Sequence, residues 1–323
     1  MLSFCQHYQE IVVYGTGYVA NRTSCLLAKA GINISCYVVS EKAYLPQSKH
    51  FHDISVLSLT DWLKLQKKDV GILVAVSEKY CNEVSDMLSQ YGVKDNLFFV
   101  NELDLKELCR KLTPVHPATF LSTTKPISRL FGIERGTPID RYYIDNFLRL
   151  TTVDLQTCLW SLEVAEDTYC KKFLPNAKHD ILSYDKGMDL TDSSTLPEEK
   201  YDVFICTQVF HVIYNVKLAI KGAYRLIKHG GTLLATVAGN ISQIAEYDMN
   251  QWGYYWGFTG IAIQRLMEEI FGPGNVEVFP YGNVMAATAF IQGVAVEDLP
   301  DMTLLDEVDS AYSICIGIRA IKC

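Results

Sequence analysis

The chain is 323 residues long, 49% hydrophobic and 20% charged, which provides apolar material for a substantial core and excludes a disordered or low-complexity chain. Lys and Arg number 29 against 37 Asp and Glu, a formal charge of −8. So acidic a chain is a poor candidate for non-specific nucleic-acid binding, which needs clustered positive charge to displace counterions.

The length favours two domains, and the elements fall into two series. In the first, Ile11–Tyr14 reads as a strand, Gly15–Gly17 as a turn and Val19–Ala30 as a helix ended by Gly31. Strand Ile34–Val39, helix Leu59–Leu65, strand Gly71–Val76, helix Glu78–Tyr91 and strand Leu97–Val100 follow. Strands alternating with helices imply parallel crossovers and a sheet covered on both faces. The stretch Leu103–Asp140 carries Pro114, Pro117, Pro126 and Pro138 and reads as a connector, because proline disfavours continuous helix. The second series holds strands Cys158–Val164, Asp180–Tyr184 and Tyr201–Thr207, helix Val216–Ile227 and strand Gly231–Val237. Helix Ile261–Phe271 and strands Val276–Tyr281 and Tyr312–Ile318 complete it. The expected architecture is α/β, with two Rossmann-like doubly wound sheets: domain 1–103, linker 104–135 and domain 136–323.

Ten scattered cysteines form neither a C-x-x-C pair nor a zinc-spaced Cys/His cluster. Most sit in apolar runs and read as buried free thiols, so no metal site is expected. No apolar run reaches the ~18–20 residues that span a bilayer, and MLSFCQHYQE lacks the features of a signal peptide. The expectation is a reduced, soluble, cytoplasmic protein without a membrane span.

Gly15-Thr-Gly17-Tyr-Val-Ala20 fits the G-x-G-x-x-A turn between strand and helix. Gly15 permits the tight turn, Gly17 lets backbone approach a diphosphate, and the helix start offers free N–H groups to an anion. The ribose-binding acid is Glu41 or is missing. Alternatively, the small residues only make the turn compact. The segments YGTGYVANRTSCLLAKAG, SVLSLTDWL and DVGILVAVSEKYCNEVSDMLSQYGV resemble sugar-nucleotide-binding modules of bacterial sugar acyltransferases and polysaccharide-assembly proteins. That resemblance implies a nucleotide or nucleotide-sugar site at Gly15 and Gly17, or a docking role. An NAD-dependent sugar-nucleotide oxidoreductase is the alternative for the glycines, although no second catalytic constellation accompanies them.

The second series carries an acidic turn after its first strand (Glu163-Val-Ala-Glu-Asp167) and acids beyond its second (Asp185, Asp189-Leu190). It continues with Tyr201-Asp-Val and with Arg225-Leu-Ile-Lys-His-Gly-Gly231 ahead of its fifth strand. In this order the segments resemble a class I S-adenosylmethionine-dependent methyltransferase over roughly 136–318. The likeness is greatest to those of bacterial surface-polysaccharide and glycosyltransferase gene sets, which carry segments like Gly136–Leu148 and Asp248–Thr259. The resemblance implies S-adenosylmethionine as cofactor, with Glu163, Ala165, Asp167, Asp185, Asp189, Leu190 and Gln208 around it. It also implies a small-molecule or glycan-precursor acceptor, methylated on a sugar hydroxyl or amine in polysaccharide biosynthesis. A homo-oligomer or a glycosyltransferase are the candidate partners. Where the family has E-x-G-x-G, this chain has Glu163-Val-Ala165-Glu166-Asp167, so a degenerate fold kept for binding or scaffolding is the non-enzymatic alternative.

Three groups could carry the chemistry. His211 follows the fourth strand and is a candidate base. Arg141 could clamp an anionic group by forked hydrogen bonds, with Tyr143 beside it. Trp252, Tyr255 and Trp256 lie in an aromatic- and glycine-rich stretch suited to stacking on a sugar. Each also has a purely structural reading: a packed histidine, a salt bridge at a helix start, an anchored loop. The expectation is that Asp140–Tyr143 and the Tyr247–Thr259 loop gather over the carboxyl ends of the strands and admit the acceptor between them.

Overall fold

The computed structural model describes residues 1–45, 50–116, 120 and 122–323, and divides into units Met1–Val115 and His116–Cys323. Pro117, one of the prolines of the expected linker, lies outside the described residues.

The first unit begins with a single turn, α1 (Leu2–Cys5), before β1 (Glu10–Tyr14), α2 (Tyr18–Lys29) and β2 (Ile34–Val39). A short antiparallel pair, β3 (His50–Phe51) and β4 (Ile54–Ser58), is followed by α3 (Leu59–Lys64) and β5 (Val70–Val74). Then come α4 (Cys81–Gln90), β6 (Leu97–Phe99) and α5 (Glu102–Leu112). The sheet order is β3-β4-β2-β1-β5-β6, parallel except at β3. Val12 and Val13 of β1 are both fully buried and belong to separate apolar clusters, so both faces of the sheet are covered.

Helix α5 falls at the start of the stretch read as linker. Its signal was available: Asn101 accepts from the Asp104 amide while the Asp104 carboxylate accepts from Asn101 N, a capping box. Leu105, Leu108 and Cys109 then bury against the first core.

The second unit runs α6 (Ile139–Thr151), β7 (Trp160–Val164), α7 (Thr168–Phe173), β8 (Lys178–Leu182), β9 (Tyr201–Thr207), α8 (Val216–Leu226) and β10 (Ile227–Ala238). It ends with α9 (Glu246–Gln251), α10 (Gly260–Phe271), β11 (Val276–Tyr281), α11 (Val284–Gln292) and β12 (Cys315–Ile321). The sheet order is β11-β12-β10-β9-β7-β8, with β12 antiparallel to both its neighbours and β7 to β10 parallel. The last strand starts three residues later than its apolar pattern suggests, because Asp309 accepts from the Ala311 amide and winds Ser310–Tyr312 into a 3-10 turn.

Pro138 does not prolong a connector but starts α6, where its missing N–H costs nothing. Ile139, Tyr143, Ile144, Phe147, Leu148 and Thr151 form one buried face, a helical stripe that holds the first turn fixed. Ahead of it, Arg135 is 1% exposed, and its guanidinium donates from Nε (2.7 Å) and an Nη (3.0 Å) to the two oxygens of Asp298. This forked pair ties the chain before α6 to the turn after α11. No described helix is long and apolar enough to cross a membrane, and all ten cysteines are free.

Candidate functional site

A cleft of about 1050 Å³ opens at the carboxyl ends of β7, β8 and β9 in the second unit, the edge at which parallel α/β sheets receive ligands. Two residues at its base hold left-handed backbone without being glycine: Ala165 (φ 66°) after β7 and Gln208 (φ 55°) after β9. A Cβ in that region costs about 1 kcal/mol, and hydrogen bonds hold both in place. The Ala165 amide donates to Leu182 O (2.8 Å), and the Gln208 amide donates to Thr236 O (2.8 Å). The cleft is therefore walled by a turn with the conformation of a glycine turn but with a methyl group in it.

The acidic turn divides its three carboxylates among different tasks. Glu163, 2% exposed, does not line the cleft. Its oxygens accept from the Tyr169 (3.2 Å) and Cys170 (2.7 Å) amides and so satisfy the start of α7. Burial pushes its carboxyl up while those amides pull it down. Asp167 pairs with Lys171 at 2.9 Å and also lies off the lining. Glu166, by contrast, lines the cleft beside Ala165 and accepts from the Thr168 hydroxyl.

Beyond β8, Asp185 sits on an exposed 3-10 turn and is absent from the lining, whereas Asp189 and Leu190 are part of it. Asp189 Oδ1 accepts from the Thr191 amide (2.7 Å) and hydroxyl (2.8 Å), which fixes the carboxylate at the rim.

The first turn of α6 brings Asp140 and Arg141 to the cleft. Arg141 is accessible yet lies deep in the protein body, as a residue facing a deep cleft must. It donates to the Tyr169 hydroxyl at 3.3 Å. Tyr143 is not there. At 1% exposed it stacks on Tyr281 at 5.5 Å inside the unit, its hydroxyl pushed well above its usual range by burial, because its helix position turns it inward.

His211 lines the cleft at 6% exposed, 4.9 Å from the Tyr254 ring. Burial lowers its imidazole to about 4, so it is neutral at pH 7. Its backbone carbonyl accepts from the Tyr255 (2.9 Å) and Trp256 (3.2 Å) amides, anchoring the aromatic loop. Trp252 and Tyr255 line the cleft, but Trp256 does not: its indole N–H donates to Ile213 O at 3.0 Å. Tyr254, Tyr247 and Asp248 also line it and were not singled out from the sequence. Only their place in the aromatic stretch could have marked them.

In the first unit, a Cβ on Gly15 (φ 114°) would meet Ala75 O at 2.7 Å, whereas one on Gly17 would meet nothing within 4 Å. Gly15 is thus required by the chain itself, and the space over Gly17 is open. Glu41 is engaged elsewhere, accepting from the Thr60 amide at 2.9 Å at the start of α3.

Residues 145–235 match the family described as "Methyltransferase domain". The match runs from within α6 into β10, across the strands that floor the cleft. No curated protein matches the chain. Among solved structures, the chain is similar to a SAM-dependent methyltransferase from Archaeoglobus fulgidus at 10% identity, covering 56% of this chain and 98% of that one, TM-score 0.34. It is similar also to the N-methyltransferase NodS from Bradyrhizobium japonicum in complex with S-adenosyl-L-homocysteine, at 14% identity, 57% and 87% coverage, TM-score 0.36.

Proposed function

We propose that the second unit transfers a methyl group from S-adenosylmethionine to a sugar or glycan-precursor acceptor. The observation that carries this is the coincidence of the methyltransferase-domain match with the strand-end cleft. The donor set suits the cofactor. Asp189 offers a fixed carboxylate and Leu190 an apolar surface to the adenosine, while Glu166 can meet an ammonium and Arg141 a carboxylate. When bound, the cofactor supplies an electrophilic methyl group on a sulfonium, and an acidic, aromatic cleft favours that cation. The protein's own part is orientation, exclusion of water by the aromatic loop, and proton removal from the acceptor by a neutral His211 or a cleft carboxylate. The likeness of 136–318 to polysaccharide-associated methyltransferases supports an acceptor in surface-polysaccharide biosynthesis, handled in the cytoplasm.

For the first unit we propose a nucleotide or nucleotide-sugar site over the Gly15–Gly17 turn, supported by the open space at Gly17. Calorimetry with S-adenosylmethionine, NAD and a nucleotide-sugar series tests both readings. S-adenosylmethionine should bind whether or not a nucleotide-sugar is present. Binding of NAD alone would replace the methyltransferase reading with an oxidoreductase one.

A further inference from the structure

One end of the cleft has an unbalanced charge. Asp140 from the first turn of α6, Asp248 from α9, His211 and the Tyr254 ring meet there from four separate segments. The Oδ1 of Asp140 and Nδ1 of His211 are sealed from solvent and have no hydrogen-bond partner among the described residues. Neither Asp140 nor Asp248 forms an ion pair within 4 Å among those residues; Arg141, which donates to the Tyr169 hydroxyl, acts on both from farther off. Desolvation pushes both carboxyls up, Arg141 pulls both down without cancelling it, and Asp248 adds a small upward push on Asp140. Two partly desolvated carboxylates that share one cation, itself more than 4 Å away, are costly. His211 is held neutral and cannot supply another. A cationic ligand would restore the balance.

The chemistry of the walls narrows its nature. Carboxylates beside an aromatic ring attract an ammonium ion by full charge and by the ring quadrupole, whereas a hydroxyl gains a hydrogen bond to a carboxylate but carries no charge to neutralise it. Building on the methyltransferase reading, we propose that the acceptor is an amine, held as its ammonium ion between Asp140 and Asp248 against Tyr254. An ammonium has no lone pair until it loses a proton. The Asp248 carboxylate takes that proton and passes it to cleft water, leaving the free amine in place for transfer.

The test uses the full chain with cyclohexylamine and cyclohexanol, probes of similar shape that differ in charge at neutral pH. Binding is read by saturation-transfer NMR, with S-adenosylhomocysteine titrated separately. The amine should bind at least about tenfold more tightly than the alcohol, the factor that ~1.4 kcal/mol of selective interaction gives. Asp248→Asn, on a short exposed helix, should remove that preference without changing S-adenosylhomocysteine affinity, and Asp140→Asn should do the same if it folds. Equal binding of the two probes, or a preference untouched by Asp248→Asn, overturns the proposal. If S-adenosylhomocysteine fails to bind while the amine preference holds, the methyltransferase reading falls. The ammonium site then survives as a binding site, but its role as acceptor site is overturned.

Discussion

Each unit begins its sheet with the same device, a strand, a tight turn and a helix, yet the two turns present different side chains. After β1 the turn is Gly15-Thr-Gly17 and leads into the twelve-residue α2, whose first turn holds no acid. After β7 it is Ala165-Glu166-Asp167 and leads into a six-residue helix whose first amides are already taken by Glu163. The first turn has open space at Gly17, as an approaching anion requires. The second has spent its donors internally and presents Glu166 to the cleft, as a cation requires. A shared topology thus says little about the ligand, and the side chains at the turn say more.

The sharpest way to break this comparison is at the glycines. Gly15→Ala should destabilise the first unit by about 3 kcal/mol or more, through its left-handed φ and the Ala75 O contact. Calorimetric unfolding would read this as a lowered transition, while Gly17→Ala, with nothing within 4 Å of its new Cβ, should leave that transition in place. Gly17→Val should still abolish diphosphate binding, if the open space is there for a ligand.

The next effect belongs to His211. Its folded value of about 4 lies below the usual 6.5, so its contribution to stability is complete above pH 6.5 and is lost as pH falls towards 4. Across that window the wild type should lose about 3 kcal/mol that a His211→Gln variant does not lose. Urea unfolding at several pH values checks this, and parallel curves for the two proteins would mean that His211 is solvated.

Asp189→Ala should weaken S-adenosylhomocysteine binding by about 1–3 kcal/mol, the usual loss when a charge-assisted hydrogen bond is removed. The same change at Asp185, which is exposed and off the lining, should do nothing measurable in calorimetry. The smallest expected effect is Ala165→Gly: relief of left-handed strain, less the added entropy of an unfolded glycine, leaves a gain of about 0.5 kcal/mol.

The comparison also shows what the sequence made legible. Strands such as Ile34–Val39 and Tyr201–Thr207 declare themselves because they are apolar and bounded by turn residues. Helix α6 did not, although its buried stripe is regular, because Pro138 was read as a breaker instead of the residue that caps the helix start. In the site, Asp189, Leu190, Gln208, His211 and Arg141 fall on the cleft because strand ends and a flanking helix are sequence-local features. Glu163, Tyr143 and Trp256 do not, since helix amides, the inward face of α6 and the Ile213 carbonyl claim them. Asp248 and Tyr254 lie in the loop that was expected to meet Asp140–Tyr143 over the strand ends, and both line the cleft with Asp140, but which residues of that loop face it is set by its fold and not by spacing.

The central claim is that the acidic turn of the second unit, and not the glycine turn of the first, faces the methyl-donating cofactor. A crystal structure of the protein soaked with S-adenosylhomocysteine tests it most directly. The account predicts adenosine density beside Asp189 and Leu190, with the homocysteine end at Ala165, Glu166 and Arg141. Density over Gly17 with the strand-end cleft empty would contradict it.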